Sequence, residues 1–226
     1  ETQYGEGDAA KSQSIAENYI TQGVAGIFGC NEGSTTGAGN AIKASGKDGI
    51  IGVGFDKSDA ILGLIDDGYL LCTMAQNPDV MGYEGVKAAV AAVGGESLGG
   101  KVTDTGVSVL TAQGGTASAA SEGSTAKASK EYRIALITMD SIDQHWVTLN
   151  EGAQKAAGEL GVTIQFMAPN TKDDAQQIEC VNNAVSAGAK AIIVAANGPD
   201  AISSALKEAQ SSGVKIVYVD SPANVD

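Results

Sequence analysis

Short apolar segments alternate with segments of helical spacing along almost the whole chain, and this alternation limits the folds that are open to it. After residue 131, apolar runs are found at 132–139, 162–167, 191–195 and 214–219. Helical patterns separate them, at 143–160, 173–187 and 199–212. Such alternation is typical of parallel sheets with helices on both faces. The sequence therefore predicts an α/β fold.

The front of the chain repeats this pattern. Strands are predicted at 24–28, 50–55, 70–75 and 107–110. Helices are predicted at 8–21, 35–45, 58–67 and 78–93. Between the two parts, residues 112–131 are rich in Gly, Ser, Ala and Thr and contain no bulky apolar side chain. This composition is typical of a flexible linker.

Composition excludes several classes of function. A formal net charge of −13 opposes nucleic acid as a partner, since phosphate binding needs Lys and Arg. Arg133, His145 and Trp146 are the only residues of their types. Because no nucleophile or acidic partner is placed beside His145, we expect no catalytic residue. The cysteines are too far apart for a zinc motif, so we expect no metal and no cofactor. They are interpreted as small buried hydrophobes, with a Cys30–Cys72 pair left open.

Polar residues follow the predicted strands at matching places in both parts. Asn31 and Asp56 follow two strands of the front part, as Asn197 and Asp220 do in the back part. Open α/β sheets bind ligands at the carboxyl ends of their strands, so these residues are candidate ligand contacts. The alternative is that they form turns or caps.

Several motifs resemble the periplasmic sugar-binding proteins of the ribose-binding type. They are Arg133-Ile-Ala-Leu-Ile-Thr-Met, Asp143-Gln-His-Trp, Glu151-Gly-Ala-Gln-Lys-Ala-Ala, Gly52-Val-Gly-Phe-Asp56, Ala75-Gln-Asn-Pro-Asp79 and Gly82-Tyr-Glu-Gly-Val86. The resemblance implies the two-lobe type I fold of the solute-binding proteins of ABC transporters, in which each lobe is a parallel sheet flanked by helices.

The resemblance also implies an unusual order of the parts. The back part of this chain corresponds to the start of the family's sequence, so the chain resembles a circular permutation, which close chain termini permit. The first lobe is then 77–101 with 132–226, and the second lobe is 1–76 with 102–111. The opening strands and helices of the second lobe lack a counterpart. We therefore expect an exposed sheet edge, completed by a partner fragment, an oligomer or a segment outside this sequence.

By resemblance, His145 and Trp146 occupy positions where the family places two aromatic rings around a sugar. The alternative for Trp146, less favoured by the sequence, is a core position, because large aromatic residues are mostly buried. The resemblance assigns hydrogen bonds to sugar hydroxyls to the remaining site residues, which are Asp143, Asp220, Asn31, Asp56 and Gln76.

The resemblance implies non-catalytic binding of a monosaccharide or a small polyol between two lobes that close by a hinge. A membrane permease would be the partner, and the location would be extracytoplasmic. No signal peptide is recognised at Glu1-Thr2-Gln3-Tyr4, so we expect either that any export signal has been removed or that the start is artificial. The alternatives are the ligand-sensing domain of a LacI-type regulator, which the acidic charge opposes, and an engineered permutant or biosensor fragment.

Overall fold

The computed structural model describes residues 1–114 and 132–224, so most of the predicted linker, residues 115–131, lies outside the described residues. The helices are α1 (Ala9–Thr21), α2 (Glu32–Ser45), α3 (Asp59–Asp66), α4 (Pro78–Val93), α5 (Gln144–Leu160), α6 (Asp174–Ser186) and α7 (Ser203–Ser211). The strands are β1 (Gly26–Phe28), β2 (Ile51–Phe55), β3 (Cys72–Gln76), β4 (Val107–Leu110), β5 (Arg133–Ile137), β6 (Thr163–Met167), β7 (Ala191–Val194) and β8 (Lys215–Tyr218).

These helices and strands form two compact units. Unit 1 contains Glu1–Asn77 and a second segment that begins at Gly106. Unit 2 contains Pro78–Thr105 and a second segment that includes β5 to β8. Each unit has one four-stranded sheet, in the order β1-β2-β3-β4 and β6-β5-β7-β8 respectively. The predicted α/β fold with helix-flanked parallel sheets is confirmed.

One strand of unit 1 runs against the others. β1, β2 and β3 are parallel, whereas β4 pairs antiparallel to β3 with Val107 opposite Gln76. The chain leaves unit 1 just after Gln76 and re-enters beside the same residue, so β4 can pair only by running back along β3. The periodicity of the sequence identifies this strand but not its direction.

The two faces of the unit 1 sheet differ in their burial. Gly52 and Gly54 are buried on one face, where a Cβ atom on Gly54 would lie 2.1 Å from the Thr35 side chain of α2. Every second residue along these strands points to the other face, and the residues there are apolar. On that face Phe28 is 53% and Ile51 is 55% exposed. Among the described strands, β1 pairs with β2 alone, so the sheet ends there.

Unit 2 buries both faces of its sheet. Alternate residues of β5 enter two different apolar clusters, with Leu136 in one and Ile137 in the other, and both are fully buried. All three strand pairings are parallel. This explains why β7, and β5 from Ile134 onward, are continuous apolar runs rather than alternating ones.

Helices α4 and α5 approach each other closely through two glycines in unit 2. A Cβ atom on Gly82 would lie 1.9 Å from the carbonyl oxygen of Leu149, and one on Gly152 would lie 1.9 Å from that of Asp79. Tyr83 of α4 donates a 2.5 Å hydrogen bond to Glu159 of α5. This hydrogen bond is the main cause that raises the pKa of Tyr83 above its usual value.

Candidate functional site

Three of the predicted site residues of unit 2 lie where the loop after β5 runs into α5, Asp143 in the loop and His145 and Trp146 in the helix. Asp140 is buried, and its Oδ1 accepts hydrogen bonds from the backbone N–H groups of Ile142 and Asp143. Asp143 in turn caps α5, because its Oδ1 accepts a hydrogen bond from the His145 N–H at 3.0 Å. The loop therefore presents His145 in the first turn of α5, in a position fixed by two carboxylates.

His145 lies beside Asp220, which follows β8. The His145 Nε2 and the Asp220 Oδ1 are 3.5 Å apart, and both side chains are largely buried. Asp220 has a φ of +60°, in the left-handed region that non-glycine residues rarely occupy. The carboxyl ends of β5 and β8 thus bring together two of the predicted site residues, one a carboxylate and the other an imidazole, so the expectation that no acidic group lies beside His145 is wrong.

Trp146 faces the core of unit 2. It is 4% exposed and belongs to the apolar cluster that includes Leu136 and Leu149. Its ring makes an edge contact with the His145 ring, with centroids 4.6 Å apart. Within the described residues, its buried Nε1–H has no hydrogen-bond partner. This burial favours the core interpretation that the sequence leaves open, and stacking of Trp146 on a ligand stays a prediction.

The predicted site residues of unit 1 also gather at strand ends. Asp56 follows β2 with a φ of +72°, and its Oδ2 accepts a 3.0 Å hydrogen bond from the Glu32 N–H. Gln76, at the end of β3, donates through Nε2 to the Asp56 Oδ1 at 3.5 Å. The geometry therefore places a carboxylate and an amide side by side where β2 and β3 end.

The two strand-end asparagines make different contacts, a local one that caps a helix for Asn31 and one to a distant helix for Asn197. Asn31 caps α2, since its Oδ1 accepts a hydrogen bond from the Ser34 N–H at 2.8 Å. Asn197 donates to the Asp174 Oδ1 at 2.5 Å. The cap alternative therefore holds for Asn31, whose contribution to a ligand site stays a prediction.

Buried polar residues that the sequence analysis missed hold the strand ends together. In unit 1 the hydroxyl of Thr35 accepts a hydrogen bond from the Phe55 N–H and lies 3.0 Å from the Phe55 carbonyl oxygen. In unit 2 the Gln177 side chain bonds backbone groups at the ends of two strands. Both lie in the first turns of helices, but spacing in a single sequence does not distinguish them from exposed polar residues.

The cysteines differ from the expectation of burial. Cys30 is exposed, because it lies in the loop after β1 rather than in a core. Cys72 and Cys180 are half-buried, all three are free thiols, and burial raises the pKa of Cys180. Within residues 1–114 and 132–224, His, Cys, Asp and Glu form no cluster of metal-binding type. No helix in that same part of the chain has the length and hydropathy of a membrane span.

A groove of about 330 Å³ lies elsewhere in unit 2, between α4 and α5, and is lined by Asp79, Tyr83, Glu151 and Lys155 among others. None of the predicted site residues lines it. The strand-end clusters, rather than this groove, carry the chemistry that the sequence predicts.

Comparison with known proteins gives a family match for most of the chain. Residues 1–97 and 134–226 match a family model described as "Periplasmic binding protein domain". The ribose import binding protein RbsB of Escherichia coli (strain K12) is 32% identical over 96 residues, which are 42% of this chain and 32% of that protein. That of Haemophilus influenzae is 33% identical over 97 residues, which are 42% of this chain and 33% of that protein. The match spans about a third of these relatives.

Solved structures with similarity to the chain include two solute-binding proteins. One, from Agrobacterium vitis with bound D-fucose, is 32% identical over 50% of this chain and 40% of that chain, with a TM-score of 0.47. Another, from Clostridium phytofermentas with bound L-rhamnose, is 29% identical over 43% of this chain and 30% of that chain, with a TM-score of 0.42.

Proposed function

The chain belongs to the periplasmic binding protein domain family, and we propose that it binds a monosaccharide or a related small polyol without chemical conversion. Its binding would serve uptake by an ABC-type transporter. The family match supports this proposal, as do curated relatives that are named for ribose import. We propose an extracytoplasmic location and a membrane permease as the partner on the same grounds.

The observation that carries the proposal is the shared conformation of Asp56 and Asp220. Each carboxylate follows a parallel strand, and each residue has a positive φ, of +72° and +60° respectively. Residues in sparsely populated backbone regions concentrate at ligand-binding sites. A carboxylate at such a position can accept hydrogen bonds from two neighbouring sugar hydroxyls.

We propose distinct roles for the remaining site residues. His145 would contact the sugar beside Asp220, and Trp146 would support the His145 ring and stack on the ligand if the loop opens. Asp143 and Asn31 would fix the starts of α5 and α2 and add polar contacts. Gln76 would bond the ligand beside Asp56. The binding mode would be closure of two lobes around the sugar through a hinge.

The proposal is tested by isothermal titration calorimetry of the full chain against D-ribose, D-fucose, L-rhamnose and D-tagatose. We expect saturable binding of at least one sugar, with a dissociation constant below 100 μM. After incubation of each sugar with the protein, chromatography should detect only the unchanged sugar. Absence of binding across the panel contradicts the proposal, and turnover of any bound sugar contradicts its non-catalytic part.

We further propose that a partner fragment or a second copy of the chain completes unit 1. The exposed apolar face that contains Phe28 and Ile51, together with the edge at β1, supports this proposal. Light scattering should give a mass above the 22.7 kDa of one chain. Ile51→Lys should lower that mass, whereas Lys in place of the exposed Val102 should not. A wild-type chain that stays monomeric at 100 μM rules out the second copy, and failure to capture any added β-α fragment rules out the partner.

A further inference from the structure

The Gln177 side chain is a buried junction between two strands of unit 2. It lies in the first turn of α6 and is fully buried. Its Nε2 donates hydrogen bonds to the carbonyl oxygens of Thr138 at 3.0 Å and Ala195 at 2.8 Å. Its Oε1 accepts one from the Asn197 N–H at 2.9 Å. Both donors and the acceptor of one amide are therefore used on backbone groups just beyond β5 and β7.

One of these contacts leads to His145. The hydroxyl of Thr138 donates to the carbonyl oxygen of Asp140 at 2.8 Å. The Asp140 carboxylate holds the Asp143 N–H, and the Asp143 carboxylate holds the His145 N–H. A continuous series of hydrogen bonds and short backbone links thus connects the Gln177 amide to the start of α5.

The other contacts lead to Asp220. Gln177 bonds the backbone of Ala195 and of Asn197. The N–H of Ala196, which lies between them, donates a hydrogen bond to the Ser221 carbonyl oxygen at 3.0 Å. The Ser221 hydroxyl donates in return to the Ala196 carbonyl oxygen at 3.1 Å. Since Ser221 directly follows Asp220, these bonds fix the backbone that holds this residue at positive φ.

We propose that Gln177 is a positioning residue for the binding site of unit 2, setting the separation of His145 and Asp220 without touching the ligand. This inference rests on the proposed function. Loss of the amide frees the loops after β5 and β7 to separate, because two buried carbonyl groups and the part-buried Asn197 N–H lose their partner and attract water. The free-energy cost of ordering these loops then falls on the binding step, and the affinity for the ligand decreases accordingly.

The test compares Gln177→Met with Gln176→Met. Gln176 is exposed on the same helix, so its substitution changes composition equally but leaves the junction intact. We expect Gln177→Met to weaken binding of the best sugar of the four-sugar panel at least tenfold, measured by calorimetry at a temperature where the variant is fully folded. Gln176→Met should stay within twofold of the wild type.

Hydrogen exchange without sugar supplies a second readout. Amides of residues 138–143 and 195–198 should exchange at least tenfold faster in Gln177→Met, while those of α4 keep their rates. A uniform increase across unit 2 indicates a purely structural role and overturns the inference. If Gln177→Met does not fold, Gln177→Asn, whose shorter amide cannot span all three partners, takes its place with the same expected results.

The two proposals fail in different ways. If the wild type binds a sugar and Gln177→Met binds it equally well, the positioning role is wrong and the proposed function stands. If the wild type binds none of the four sugars, the proposed function fails. The positioning of the loops is then decided by hydrogen exchange alone, and unchanged rates at 138–143 and 195–198 overturn it.

Discussion

Replacing Gly152 with alanine should destabilise unit 2 by about 3 kcal/mol, at the upper end of typical overpacking costs. The added methyl group would lie 1.9 Å from the carbonyl oxygen of Asp79, which belongs to the backbone of α4. No rotamer change relieves a contact between a Cβ atom and a backbone oxygen, so the two helices must separate. Separation loosens the apolar cluster on that face, which includes Leu149 and Val86.

Trp146 makes this effect measurable in one unit alone. It is the chain's single tryptophan and is buried in the same cluster of unit 2, so its fluorescence during urea unfolding reports that unit. Gly152→Ala should move the fluorescence midpoint to markedly lower urea. Circular dichroism reports the unfolding of both units. For Gly152→Ala, the urea unfolding curve that it measures should show two transitions, because unit 2 unfolds first.

Gly158→Ala is the matched control on the same helix. Within the part of the chain that the structure describes, no atom outside the local backbone of α5 and the two neighbouring residues lies within 4 Å of a Cβ atom built there. Alanine favours the helix interior over glycine, so this variant should be unchanged or stabilised by up to about 1 kcal/mol. Equal midpoints for the two variants would show that α4 and α5 are not in close contact in solution.

The sequence predicts the strands of unit 2 well, because a strand that is buried on both faces of a sheet has a continuous run of apolar residues. The runs at 132–139 and 191–195 contain β5 and β7. Element ends were less predictable where distant residues decide them. The pattern predicts a helix from 199, yet α7 begins at Ser203, whose hydroxyl oxygen lies 2.7 Å from the carbonyl oxygen of Pro199 and 2.8 Å from that of Asn224. A proline at the start of a helical pattern does not predict a contact between Ser203 and the distant Asn224.

The candidate site shows a similar division. The strand-end position of Asp56 and Asp220 follows from the order of elements, since parallel strands end at one edge of a sheet. Their positive φ values do not follow from it, because Asp also adopts ordinary turn conformations. The burial of Trp146 was open for a related reason, since one helical spacing fits both a core position and a cleft position.

Replacing Asp220 with asparagine should weaken sugar binding about a hundredfold, which corresponds to about 2.7 kcal/mol. The cause is the loss of a charged acceptor, since hydrogen bonds to charged groups contribute about 1.5–3 kcal/mol. Asparagine tolerates the left-handed conformation that Asp220 adopts, so the backbone should keep its path. The loss of the negative charge beside His145 Nε2 adds to the effect by weakening the orientation of the ring.

Asp48→Asn removes the same charge at a position remote from the strand ends that carry the site, because Asp48 is exposed and precedes β2. It should bind sugar within twofold of the wild type, which separates a local effect of Asp220 from the general effect of a less acidic chain. Calorimetry with the best sugar of the panel measures both variants, and fluorescence of Trp146 confirms that unit 2 is folded. If Asp220→Asn binds as tightly as Asp48→Asn, Asp220 makes no hydrogen bond to the ligand, and its positive φ serves only the turn after β8.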